Sequence, residues 1–232
     1  MNKIRNNIPN AITSMNLLCG CLACIAAFHC DKVLCCGMRG YECAYLLIAL
    51  AAVFDFFDGF TARLIHAVSG IGKELDSLAD LVSFGLAPAL VLYNIMMQVH
   101  DTGCAALVSM LLPVAGALRL ARFNVDTRQA TTFTGLPIPA NAIFWIGFTS
   151  LYAAHSLPLW AVLALVVLLS WLMVCNLRMF SLKMHNLSSL RDNWAQYLLI
   201  VATVVLVALL GLSGLAATIA LYVLLSIIKH EK

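Results

Sequence analysis

Residues 55–80 read DFFDGFTARLIHAVSGIGKELDSLAD. Four aspartates, Asp55, Asp58, Asp76 and Asp80, fall inside this stretch, and the runs that contain them, 43–62 and 76–98, are otherwise apolar. Each run is long enough for a membrane span, which needs about 20 mostly apolar residues. The stretch reads as two antiparallel membrane helices joined by a loop of about a dozen residues, with their acids at the same end.

Working outward, the same apolar pattern continues at 11–28, 104–122, 136–154, 157–175, 194–210 and 213–229. The pairs 136–154/157–175 and 194–210/213–229 are parted only by short turn-like segments and read as tight helical hairpins. No run alternates with period two, which excludes barrel strands. The expected fold class is an all-α polytopic membrane protein of about eight transmembrane helices; six or seven spans is the alternative count. Composition agrees: 62% of the residues are hydrophobic and only 11% are Asp, Glu, Lys or Arg, against about 25% charged in soluble domains. Residues 1–232 read as a single catalytic domain, with a core at about 8–175 and an added helical hairpin at about 194–229.

Basic residues orient the spans. With eight of them, Lys3, Arg5, Arg63, Lys73, Arg119, Arg122, Arg128, Arg178, Lys183, Arg191, Lys229 and Lys232 fall on one side, leaving only Lys32 and Arg39 on the other. Cytoplasmic loops carry the excess of Lys and Arg. Both termini and the four aspartates are therefore expected at the cytoplasmic face of the cell's inner membrane. The scattered basic residues, at a net charge of +3, give no nucleic-acid patch. The first apolar run follows a basic head but shows no clean small-x-small cleavage site, so it reads as a retained helix.

Cys19, Cys21 and Cys24 lie in that first run and read as small hydrophobes. Cys30, Cys35, Cys36 and Cys43 sit in or beside the first polar loop. Two disulfides or free thiols are both compatible with that placement.

The spacings of the acids place Asp55 with Asp58, and Asp76 with Asp80, on one face of each helix. Four carboxylates near lipid repel one another and are costly to keep there. Arg63 supplies one nearby positive charge. Two hard divalent cations, Mg²⁺ or Mn²⁺, balance the group better, since oxygen-rich sites suit them. Two-metal sites, with ions about 3.5–4 Å apart, grip phosphoryl oxygens. Solvated helix caps are the bland alternative, and a cation path across the membrane would place acids nearer mid-bilayer. Gly59 leaves the backbone beside Asp58 open, Ala62 keeps the next turn small, and Arg63 can fork onto phosphate. Gly72 eases close packing before Lys73.

The run D55-F-F-D58-G59-F-T-A62-R63, eight residues, then G72-K-E-L-D76-S-L-A-D80 resembles the signature of the CDP-alcohol phosphotransferases. That resemblance implies that Asp55, Asp58, Asp76 and Asp80 hold a binuclear metal site and that Asp80 is the catalytic base. It implies a CDP-lipid contact for Gly59, Ala62, Arg63 and Gly72, and for Asn10 and Thr13 in PNAITSMN, residues 9–16. LDSLADLVSFGLAPA, ALRLARFN (117–124) and FTGLPIPA (133–140) are similar to the phosphatidylserine synthase branch. The implied reaction joins CDP-diacylglycerol and L-serine, releases CMP, and runs in a homodimer. Arg119 and Arg122, one turn apart, can hold the serine carboxylate or a phosphate, or simply obey the charge bias. Arg128 is a weaker candidate, and Ser83 and Asn124 are either substrate contacts or helix glue. Rival readings are the same chemistry with glycerol 3-phosphate or inositol phosphate as acceptor, a small transporter or channel, and a noncatalytic membrane scaffold.

Overall fold

The computed structural model describes residues 2–65, 70–100, 103–125, 133–155, 157–180 and 193–230. Helix α1 spans Asn2–Ala27, α2 Gly40–Leu64, α3 Gly70–Asp80 and α4 Ala87–His100. Then follow α5 (Gly103–Ala106), α6 (Leu111–Val125), α7 (Ile138–Ala154), α8 (Leu159–Val174), α9 (Trp194–Leu210) and α10 (Gly214–His230). The expected all-α membrane bundle is what these elements build. Five helical stretches are long and apolar enough to cross a bilayer, and α7 and α8 are shorter apolar helices. The fifth stretch, Trp194–Ile228, is broken by a 3₁₀ turn at Gly211–Ser213. A Cβ on Gly214 would strike the Leu206 carbonyl, which a continuous helix would carry far away, so the chain turns back there between α9 and α10.

Two boundaries differ from the sequence reading. The loop between the acidic helices is shorter than a dozen residues, because α2 runs on to Leu64 and α3 starts at Gly70. Local charge (Arg63, Lys73, Glu74) ends an apolar run without ending a helix, since these side chains are good helix formers. The third span is also not uniform: a π-helical turn, Leu81–Leu86, joins α3 to α4 directly after Asp80.

Lipid tails give helices no hydrophobic reason to associate, so close backbone packing and buried hydrogen bonds must do so. α1 supplies small residues along one face, and Cys19, Gly20, Ala23 and Ala27 are buried against the bundle. It packs along α2 and also touches α3, the π turn and α4. Phe84, Leu92, Met96, Leu112, Trp145 and Tyr152 fill the centre. Tyr45 Oη and Thr149 Oγ1 share a 2.7 Å hydrogen bond between α2 and α7, and His100 Nε2 meets the Leu157 carbonyl at 2.9 Å. The outer faces of α8 and α9 are apolar and exposed, Trp160, Trp171, Val201, Val204 and Leu209 among them, as lipid contact requires.

Two short antiparallel pairs decorate the helix ends. β1 (Val33–Cys35) and β2 (Met38–Arg39) form a hairpin that turns through Cys36 and Gly37 at φ 51° and 78°, the positive values a two-residue hairpin needs. β3 (Phe133–Thr134) pairs with β4 (Arg178–Met179), which puts the start of α7 and the end of α8 on one side of the membrane. Gly135, at φ 74°, makes this junction: a Cβ there would lie 2.5 Å from the Met173 carbonyl oxygen. All nine cysteines are free thiols. The Cys30 thiol is pushed up to about 12 by burial and the neighbouring Asp31, so it stays protonated and unreactive near neutral pH.

Candidate active site

Asp55, Asp76 and Asp80 converge, each offering a carboxylate oxygen within 4.8 Å of the others. Asp55 and Asp76 are half-buried and Asp80 is buried at 9% exposure. Asp58 does not join that tight group. Three residues on an α-helix fall about 60° short of a full turn, which swings Asp58 away from Asp76 and Asp80 toward α1. There it is 5% exposed, Thr13 faces it, and its Oδ2 has no hydrogen-bond partner among the described residues. The four aspartates are therefore three in contact and one alongside.

Asn16, which sequence reasoning passed over, holds the base candidate. Its Nδ2 donates to Asp80 Oδ1 at 3.4 Å, and its Oδ1 is buried without a hydrogen-bond partner among the described residues. The signal was present: Pro9, Thr13, Asn16 and Gly20 recur at helical spacing on the buried face of α1, and an Asn on such a face requires a partner. Ser83 is fully buried and donates to the Asn16 carbonyl at 3.0 Å, which supports the helix-glue reading. A Cβ on Gly20 would lie 2.9 Å from Ser83 Cα, so only glycine lets α1 meet the π turn. Gly20→Ala is expected to cost about 1–3 kcal/mol of stability and to lower turnover by displacing Asn16. Thermal unfolding in detergent reads the first effect; a wild-type melting temperature with full turnover would contradict this packing.

The remaining candidates divide by position. A Cβ on Gly59 would meet nothing within 4 Å, so open space lies beside Asp58, bounded by half-buried Ala62. Arg63 is exposed and its Nε donates to the Gly59 carbonyl at 2.9 Å. Gly72 is half-buried in the first turn of α3, and Asn10 is half-buried on α1. Lys73 Nζ donates to the Asn124 carbonyl at 3.0 Å and Asn124 Nδ2 to Ser77 Oγ at 2.9 Å, which ties the end of α6 to α3 rather than presenting Asn124 to a ligand. The two arginines part company. Arg122 is exposed and its Nη1 caps the end of α8 through the Val174 carbonyl at 2.7 Å. Arg119 is half-buried, its Nε has no hydrogen-bond partner among the described residues, and it lies in the field of Asp80. Arg128 lies outside the described residues.

The donor set fits a hard divalent cation. Three mutually close carboxylates, with a fourth buried carboxylate oxygen beside them, leave several negative charges that Arg119 alone does not offset. Residues 6–174 match the family model described as CDP-alcohol phosphatidyltransferase. The chain belongs to this family. Three relatives named CDP-diacylglycerol–serine O-phosphatidyltransferase are similar to it. The Bacillus subtilis (strain 168) protein is 37% identical over 134 residues, 58% of this chain and 70% of the relative. The Mycobacterium leprae (strain TN) protein is 37% identical over 198 residues, 81% of this chain and 62% of the relative. The Helicobacter pylori (strain 26695) protein is 31% identical over 230 residues, 95% of this chain and 90% of the relative. In this CDP-alcohol phosphatidyltransferase the matched region carries every aspartate of the cluster, while α9 and α10 lie beyond it.

Proposed function

We propose that this protein transfers the phosphatidyl group of CDP-diacylglycerol to L-serine, forming phosphatidylserine and CMP. The observation that carries the reading is the meeting of Asp55, Asp76 and Asp80 within 4.8 Å at the ends of two apolar helices. Asp55, Asp58, Asp76 and Asp80 would hold two divalent cations, Mg²⁺ or Mn²⁺. When bound, these ions neutralise and polarise the pyrophosphate oxygens.

The chain's own groups do the rest. Gly59 and Ala62 leave room for the nucleotide, with Arg63, Gly72, Asn10 and Thr13 around it. An apolar cavity of about 550 Å³, bordered by Ile48, Ala52, Phe84, Ala142, Ile146 and Leu215, starts one turn from Asp55 and suits an acyl chain. Asn16 engages one oxygen of Asp80, which leaves the other to take the proton from the serine hydroxyl. The serine oxygen then bonds to the phosphorus bearing diacylglycerol as the bond to the CMP oxygen breaks. Arg119 holds the serine carboxylate, a charge-assisted contact of the kind guanidinium makes best. The enzyme is one catalytic domain with eight spans, works as a homodimer and faces the cytoplasm of the inner membrane. The twelve-to-two split of Lys and Arg supports that orientation.

Detergent-purified enzyme with CDP-diacylglycerol and labelled serine tests the reading. Labelled phosphatidylserine and CMP are expected in equal amounts. Treatment with a chelator should abolish the reaction, and Mn²⁺ or Mg²⁺ should restore it. Unchanged turnover after exhaustive metal removal rules the metal role out, and faster CMP release with glycerol 3-phosphate or inositol phosphate rules serine out.

A further inference from the structure

Both acidic helices carry a wall of the apolar cavity one turn from their carboxylates. Ala52 lines it on α2, three residues before Asp55, and Phe84 of the π turn lines it four residues after Asp80. Side chains three or four apart on a helix share a face, so the cavity of about 550 Å³ continues the acidic site along the bundle. Ala49, exposed on α2, keeps it open. The facing wall is α7, through Ala142 and Ile146, and the 2.7 Å hydrogen bond from Tyr45 to Thr149 fixes the spacing of the two helices. A third wall comes from beyond residue 174, where the family match ends: Leu212 and Leu215, at the turn between α9 and α10. That turn is seated on α7, since a Cβ on Gly147 would strike the Ala216 amide nitrogen and lie 3.0 Å from the Leu212 carbonyl oxygen. At the far end stands Glu42, whose Oε2 accepts the Arg39 amide at 2.7 Å.

We propose that this cleft is a ruler for one acyl chain of the lipid donor, with Ala49 setting the length it admits and Leu212 and Leu215 of the C-terminal hairpin setting its width. The inference rests on the reading above, in which CDP-diacylglycerol is the donor. A full-length acyl chain spans one leaflet, about 15 Å of the hydrocarbon core. Counted along α2 at about 1.5 Å per residue, Ala49 lies about 9 Å from Asp55 and Glu42 about 20 Å. An ordinary chain anchored at the acids therefore passes Ala49 and stops short of Glu42. A longer one would press its methyl end on a carboxylate and strip it of water, which is costly. Moving a chain from bilayer to cleft exchanges one apolar surrounding for another and brings no hydrophobic gain. The cleft consequently selects by exclusion: a chain too long or too wide for its walls is rejected, and one that fits is tolerated.

The test measures CMP release in mixed micelles at saturating serine from three donors: dihexanoyl, dipalmitoyl and methyl-branched diphytanoyl CDP-diacylglycerol. Wild type is compared with Ala49→Phe and Leu215→Ala. A hexanoyl chain reaches about 6 Å on the scale of a leaflet and ends below Ala49. Ala49→Phe is therefore expected to lower kcat/KM for the dipalmitoyl donor about tenfold, the low end of what a misfit methylene costs in an apolar pocket, and to spare the dihexanoyl donor. The KM for serine and the melting temperature should stay at wild type, because Ala49 is exposed in the cleft. Leu215→Ala widens the cleft and should raise the diphytanoyl-to-dipalmitoyl ratio by a similar factor. An Ala49→Phe enzyme with the wild-type chain profile overturns the inference. So does an equal loss for both straight-chain donors, the result expected of a cleft that holds a structural lipid of the bilayer. A wild-type ratio in Leu215→Ala overturns the part given to the hairpin. Wild-type enzyme that releases no CMP from any of the three donors takes down the donor reading first, and the ruler with it.

Discussion

Asp76→Ala is expected to lower phosphatidyl transfer by about 10³-fold, at the upper end of what removing one preorganised electrostatic group costs. Asp76 stands on α3, with its carboxylate within 4.8 Å of those of Asp55 and Asp80. Without it the cluster loses a bridge between the two acidic helices, and a divalent cation loses a charged ligand. The same substitution relieves repulsion among carboxylates held close together at the edge of an apolar bundle. In metal-free buffer the variant should therefore melt at or above the wild-type temperature, the trade expected where a site stores repulsion for function. CMP release and thermal unfolding, measured on one preparation, check both halves. A folded variant that keeps more than about a tenth of the rate would remove Asp76 from the metal site.

Asp80→Asn is expected to lower kcat by about 10²–10⁴-fold, the range that general-base assistance supplies, and to change CDP-diacylglycerol affinity far less. The amide keeps an oxygen for Asn16 Nδ2, the contact Asp80 makes at 3.4 Å, and fills the same buried volume, so geometry is preserved while basicity is lost. Titrating a CDP-lipid analogue alongside single-turnover rates separates the two effects. If nucleotide binding collapses and the rate per bound complex stays near normal, Asp80 is a ligand-holding residue and not the base.

Much of this was legible from residue order. Apolar run lengths read out the helices, and spacings of three and four put the acids at the helix ends. The signature around Gly59, Ala62, Arg63 and Gly72 pointed to CDP-lipid chemistry that the family match bears out. What spacing left open shares a cause. It put the four acids on two helix faces but did not show that Asp55, Asp76 and Asp80 form the tight group with Asp58 buried beside it, because a face defined by sequence spacing is wide. Asn16 escaped because its partner is 64 residues away. The π turn at Leu81–Leu86 leaves no compositional trace, and neither does the close approach of α1 to it at Gly20 and Ser83. Arg119 and Arg122 look alike in sequence, yet one caps α8 and the other is half-buried in the field of Asp80.

From the sequence by itself, then, came the membrane class, the helical content, the expected side of the acids and the chemistry they suit. These follow from hydropathy and periodicity, which are properties of a single segment in its solvent. Only the tertiary structure decided which three carboxylates touch, which amide steadies Asp80, which arginine is half-buried, and that the turn between α9 and α10 walls the cavity beside α2 and α7. Those outcomes depend on how close two backbones come and how each helix is rotated about its axis, quantities fixed by packing between distant segments.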